Sequence, residues 1–96
     1  MAVRIRVKLF AMLRARVGKR SLSLTFDGVA KPTVADALER LERECPELAG
    51  ELLADGAIVT TATVLRNGRL VDRTAPATVP LEDGDELSLT PPITGG

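Results

Sequence analysis

Between Val3 and Leu9 the chain alternates without a break: Val3, Ile5, Val7 and Leu9 are apolar, and Arg4, Arg6 and Lys8 stand between them. A period of two marks a strand with one buried face and one wet face, so a first strand is predicted here. Ala11 to Val17 is apolar and tolerant of helix, and Gly18 is suited to end such a turn. Leu22, Leu24 and Phe26 then alternate with Ser21, Ser23 and Thr25, which predicts a second strand, antiparallel to the first.

Asp27-Gly28 is a turn signal. Just after Pro32, Thr33 and Asp36 have the spacing of a helix-starting capping box, with Asp in place of Glu. Val34, Ala37, Leu38, Leu41 and Cys45 follow at helical spacing as one apolar stripe, with Glu39, Arg40, Glu42 and Arg43 expected on the outer face. Pro46 should end or restart the helix. Leu48, Leu52 and Leu53 predict a short helical turn, and Ala54 to Ile58 a loop around Asp55-Gly56. Asn67-Gly68, between Val64-Leu65-Arg66 and Arg69-Leu70-Val71, predicts a tight hairpin because both residues tolerate positive φ. After an irregular stretch containing Pro76 and Pro80, the acidic turn Glu82-Asp83-Gly84-Asp85 leads into a last strand, Glu86-Leu87-Ser88-Leu89-Thr90, which Pro91 and Pro92 stop. One apolar helix stripe and strands with one apolar face each are buried most economically in an α+β roll of β-grasp type, a mixed curved sheet packed on one main helix. The expected organisation is a domain over residues 1–90 and an extended tail over 91–96.

The strand periods also fix an outer face. Arg4, Arg6 and Lys8 should lie beside Glu86 and Ser88, and Phe10, Leu65 and Thr90 share the parity opposite to the core, which makes them a candidate docking surface.

The chain has 96 residues, 13 basic and 13 acidic, but seven basic residues from Arg4 to Arg20 precede the first acidic one, Asp27. A basic patch for nucleic acid or an anionic membrane is one reading; a solvated strand face that meets acidic neighbours is the preferred one, given the neutral net charge. Phe10 and Phe26 are the two aromatic residues, too few for a row of rings that stacks bases. No stretch approaches a membrane span, and Met1 to Phe10 alternates charge where a signal peptide would run apolar. A cytoplasmic protein with no nucleic-acid or membrane partner is expected. Cys45 is the single cysteine and histidine is absent, so no disulfide framework and no cluster of thiols and imidazoles for a metal is available. Cys45 can be read as a sulfur-handling thiol, but its place on the apolar stripe favours a buried hydrophobe. Glu82, Asp83, Asp85 and Glu86 can be read as a cation site, and an ordinary exposed turn is the preferred reading.

Pro91-Pro92-Ile93-Thr94-Gly95-Gly96 lacks apolar periodicity. The prolines favour an extended path, six residues reach at most about 20 Å, and glycines at the tip let backbone enter a confined site. This tail, together with Leu81-Glu82-Asp83-Gly84-Asp85-Glu86-Leu87 before it, closely resembles the end of the MoaD/ThiS family of ubiquitin-like sulfur carriers. Lys8-Leu9-Phe10-Ala11-Met12-Leu13-Arg14 looks like that family's first strand and turn, and Val64-Leu65-Arg66-Asn67-Gly68 like its third strand and hairpin. The double proline points to the MoaD branch, the small subunit of molybdopterin synthase. Archaeal ubiquitin-like modifiers are similar too.

The resemblance implies that an E1-like adenylyltransferase activates the Gly96 carboxylate with ATP and that a sulfur donor then displaces AMP to leave a thiocarboxylate. In the MoaD branch this supplies sulfur to molybdopterin inside a synthase whose large, MoaE-type subunit holds the catalytic residues. The chain would be a co-substrate rather than an enzyme, with no cofactor bound and Pro91, Pro92, Ile93, Thr94 and Gly95, besides Phe10, Leu65 and Thr90, binding partners. The alternatives are a modifier joined through Gly96 to lysines, and a carrier of sulfur for cysteine, thiamin or another metabolite.

Overall fold

The computed structural model describes residues 2–28 and 31–91. Pro92, Ile93, Thr94, Gly95 and Gly96, and with them most of the expected tail, lie outside the described residues. The elements follow in the order β1 (Ala2–Leu9), α1 (Ala11–Val17), β2 (Ser21–Asp27), α2 (Val34–Glu44), β3 (Leu53–Ala54), β4 (Ala57–Ile58), β5 (Thr63–Arg66), β6 (Arg69–Leu70) and β7 (Glu86–Thr90), with 3-10 turns at Pro46–Leu48 and Pro76–Thr78.

Five strands form one sheet in the order β2-β1-β7-β5-β6. β1 runs parallel to β7, and the other neighbours are antiparallel. The first and last strands of the chain therefore pair at the middle of the sheet. Their alternation is the expected one, with Ile5, Val7, Leu9, Leu87 and Leu89 buried against Val34, Ala37, Leu38 and Leu41 of α2. The outer face also has the expected register: Arg6 lies opposite Glu86 and Lys8 opposite Ser88, and Lys8 Nζ stands 3.6 Å from a Glu86 carboxylate oxygen. Lys8 is exposed and Glu86 partly so, and this pair contributes under about 1 kcal/mol, its role being to keep the face soluble. Arg4 lies at the end of the row, where its N–H donates to Asp83 Oδ1 at 2.9 Å and its carbonyl accepts from the Gly84 N–H at 2.8 Å.

The start of α2 is the capping box that the sequence predicts. The Thr33 hydroxyl accepts from the Asp36 N–H at 3.2 Å, and the Asp36 carboxylate accepts from the Thr33 N–H at 2.9 Å. Thr33→Ala should cost about 1 kcal/mol, read as a lower denaturant midpoint at unchanged slope; no change in midpoint would mean that the helix start is held by other contacts.

Three expectations need correction. The polar side of α2 is not all outward: Arg40 Nη1 donates to the Thr25 carbonyl at 3.0 Å and its guanidinium lies 4.4 Å from the Phe26 ring centroid. Glu42 Oε2 accepts from the N–H groups of both Leu52 and Leu53, at 2.9 and 2.8 Å. These two charged side chains tie α2 to β2 and to the segment after it, so a stripe pattern that separates apolar from charged residues misplaces them. The segment read as a loop, Ala54 to Ile58, belongs instead to a two-residue hairpin, β3 with β4, closed by Asp55-Gly56 with both residues at positive φ. The acidic turn is likewise not an ordinary exposed one, because Asp85 is buried, at 7% exposure.

Candidate functional site

β7 is central, held by β1 on one side and β5 on the other, and it ends at Thr90 immediately before Pro91. Whatever follows Pro91 therefore starts from one of the best-anchored strands of the sheet. The Phe10 N–H donates to the Leu89 carbonyl at 3.1 Å, which fixes the end of β1 against the end of β7. The next residue, Ala11, has φ 52°, in the left-handed region that costs a non-glycine residue about 1 kcal/mol or more. The chain breaks sharply there into α1, and Phe10 stays at the surface, 41% exposed.

A groove of about 330 Å³ opens at this point, lined by Phe10, Met12, Leu13, Thr61, Thr90 and Pro91 among others. Its lining is mainly apolar, and Met12 is 67% exposed. Arg16 and Glu51 close one side as an ion pair at 2.6 Å. α1 fully buries none of its residues: Leu13 and Val17 pack partly buried against the core, while Met12 stays at the surface of this groove.

Of the candidate docking residues, the structure brings Phe10, Thr90 and Pro91 together around the groove. Leu65 does not join them. The β5–β7 register sets Thr63 opposite Thr90 and Leu65 opposite Ser88, so Leu65 sits further along the same face, where it pairs with Leu70, itself 68% exposed. Met12 and Leu70 were not singled out from the sequence; the apolar run Ala11 to Val17 was the available signal for the first, and the hairpin register for the second.

Asp85, placed by the sequence in an exposed acidic turn, is buried and paired instead. Its carboxylate accepts from Arg66 Nε at 2.9 Å, Asn67 Nδ2 at 2.9 Å and the Glu82 N–H at 2.8 Å, and Arg66 Nη2 stands 2.9 Å away. Burial on its own pushes this carboxyl up, and the hydrogen bonds from Glu82, Asn67 and Arg66 together with the Arg66 charge outweigh it, so the group is held below its ordinary value. The cluster locks the β5–β6 hairpin to the start of β7. Its parity was legible, since 85 is in phase with the inward Leu87 and Leu89.

Cys45 lies just past α2 as its C-terminal cap, half-buried and packed against the core rather than within the stripe. Burial raises its thiol first, Glu47 and Glu44 raise it further, and Lys19 only partly opposes them. The thiol form is favoured, which makes Cys45 a poor nucleophile.

Residues 7–96 match the ThiS family. The chain belongs to that family. It is 39% identical over 92 residues to small archaeal modifier protein 3 of Haloferax volcanii, covering 96% of this chain and 98% of that protein. It is 40% identical over 93 residues to small archaeal modifier protein 1 of the same organism, covering 93% and 97%. A solved structure of a proposed molybdopterin converting factor, subunit 1, from Pyrococcus furiosus superposes with a TM-score of 0.73 at 25% identity, over 95% of this chain and 99% of that one. The ThiS-family assignment makes the sheet on α2 a ubiquitin-like β-grasp fold, and it places the chain among sulfur carriers and modifiers rather than catalysts. Among the described residues, no helix is long and apolar enough to cross a membrane.

Proposed function

We propose that the chain works through the carboxylate of Gly96, as a sulfur carrier whose product is molybdopterin. The observation that carries this reading is the placement of Pro91: it follows directly on a central strand paired on both sides, and it lines an apolar groove. A carboxylate is a poor electrophile until it gains a leaving group. An E1-like partner supplies one when a Gly96 oxygen attacks the α-phosphorus of ATP and pyrophosphate departs. Hydrosulfide sulfur, delivered by a donor, then attacks the acyl carbon and AMP leaves, so that one carboxylate oxygen is replaced by sulfur. The thiocarboxylate sulfur is the nucleophile that a MoaE-type subunit would receive. The superposition on the Pyrococcus furiosus protein supports this branch.

A second reading is favoured by the two Haloferax volcanii relatives, which are modifier proteins. Here a lysine amine of another protein attacks the same activated acyl carbon, an amide forms, AMP leaves and the amine proton passes to solvent. The two readings part at one experiment. Thiocarboxylated protein is incubated with a MoaE-type subunit and the sulfur-free pterin precursor, and tryptic digests of lysates of the source organism are searched by mass spectrometry for remnants of the segment from Thr74 to Gly96 on lysine. Return of the chain to its carboxylate form with formation of molybdopterin supports the first reading; an unspent thiocarboxylate with abundant remnants replaces it by the second.

Phe10, Thr90 and Pro91 form the docking surface for the activating enzyme in this account. Phe10→Ala should weaken that complex by about tenfold, as loss of one well-packed aromatic anchor does, measured by titration calorimetry. Full affinity in the variant would remove Phe10 from the interface.

A further inference from the structure

The excess of positive charge near the N-terminus is not spread evenly once the chain folds. Lys8 meets Glu86, Arg16 meets Glu51 and Arg66 meets Asp85. Arg14, Lys19 and Arg20 have no carboxylate within ion-pair distance among the described residues, and they line one concavity of about 380 Å³ on the other flank of α1. All three are exposed. The reading of the basic N-terminus as compensated thus holds at Lys8 and Arg16 and fails at Arg14, Lys19 and Arg20, which are gathered around one concavity.

This basic groove and the apolar groove flank the same short helix. Met12, Leu13 and Arg16 face the apolar one, Arg14 faces the basic one, and Ala11 lines both. Ala11 offers only a methyl group at the crossing. We propose that α1 is the recognition element for a short acidic and hydrophobic segment of a partner protein, laid across Ala11 with an apolar side chain in the Phe10–Met12–Thr90–Pro91 groove and carboxylates on Arg14, Lys19 and Arg20. The occupant follows from charge complementarity: three clustered cations without a carboxylate partner favour an anion on one flank, and the apolar flank favours an anionic segment that also carries a bulky hydrocarbon side chain. A nucleic acid fits less well, because Phe26 is buried and Phe10 alone gives no stacking row. A membrane fits less well because the apolar flank is a groove sized for single side chains rather than a projecting apolar face. The surface binds without any reaction at Gly96, so it stands whether or not the carrier chemistry does.

The test is a nitrogen-15 NMR titration of the full chain, and of the same chain lacking Gly96, with an acetylated and amidated Glu-Glu-Leu-Phe-Glu-Glu peptide. Saturable shifts confined to Phe10 through Arg20 and to Thr90, equal in the two chains and weakened by added salt, are expected. The combined variant Arg14→Glu, Lys19→Glu, Arg20→Glu should bind about tenfold more weakly, the product of three exposed pairs each worth about a factor of two to three. Its side chains are all at the surface, and an unchanged dispersion of core methyl signals verifies its fold. Replacing Leu and Phe of the peptide by Ala should likewise abolish the shifts at Met12 and Thr90. Absent or scattered shifts, equal binding of a peptide with Lys in place of Glu, or tighter binding at these residues of a DNA duplex or of phosphatidylglycerol vesicles would each overturn the proposal.

Discussion

Deleting Gly96 should abolish acceptance of sulfur from the activating enzyme while leaving the folding transition of the chain where it is. The two effects separate because the buried aliphatic side chains of the described residues end at Leu89, and the last strand has already paired with β1 and β5 by Thr90. A residue beyond Pro91 is therefore not needed to close that core. Replacing Gly95 by Trp should have the same outcome by a different route. The terminal carboxylate is retained, but a bulky side chain next to it prevents the close backbone approach that a confined adenylation site requires. Both variants are read by intact mass after incubation with the activating enzyme, ATP and hydrosulfide, and by urea denaturation. Sulfur acceptance by the truncated chain would remove Gly96 from the mechanism; a lowered denaturation midpoint would show that the tail has a part in the fold.

Asp85→Ala should cost about 3 kcal/mol of stability, the scale for removing one partner of a buried, hydrogen-bonded charge pair. The substitution strands the Glu82 N–H and deprives both Arg66 and Asn67 of their acceptor. The loss should appear as a lower urea midpoint at unchanged slope, with larger losses of amide protection in β5, β6 and the start of β7 than in α2. pH supplies an independent check. Because the folded chain holds this carboxyl below its ordinary value, its contribution is complete above the ordinary carboxylate range and is lost as pH falls through the lowered folded value. The difference between wild type and variant should thus shrink in acid. A gap that stays constant from neutral pH into that range would mean that Asp85 acts through shape and not through its charge.

Asp85 also marks how far the sequence could be read. Strands β1, β2 and β7 are legible because a half-buried strand writes its burial into a period of two, and α2 is legible because Thr33 and Asp36 give its start and the apolar stripe its inner face. Alternation states which side a residue faces; it does not state what it meets there. Asp85 has inward parity, yet its acceptability inside depends on Arg66 and Asn67, nearly twenty residues away and brought near by the β5–β7 pairing. Arg40 and Glu42 fail for the same reason, since their carbonyl and amide partners belong to β2 and to Leu52 and Leu53. β3 and β4 have two residues each, too short for any period to show.

The same limit governs the candidate site. Phe10, Leu65 and Thr90 share a parity, but a register is needed to know whether they touch, and the observed one puts Thr63 and not Leu65 opposite Thr90. The groove itself was not legible, because it depends on the sharp turn at Ala11 and on a seven-residue helix that fully buries none of its residues. What remained readable was the tail as chemistry: two prolines after the last strand and two glycines at the end.

Whether sulfur is carried on the Gly96 carboxylate is decided by locating the sulfur. The chain is incubated with the activating enzyme, ATP and hydrosulfide, digested without reduction, and its peptides are weighed. One oxygen-to-sulfur exchange is expected in the peptide that ends at Gly96, together with an unmodified peptide containing Cys45. Sulfur on the Cys45 peptide, with the Gly96 peptide unchanged, would contradict carriage on Gly96.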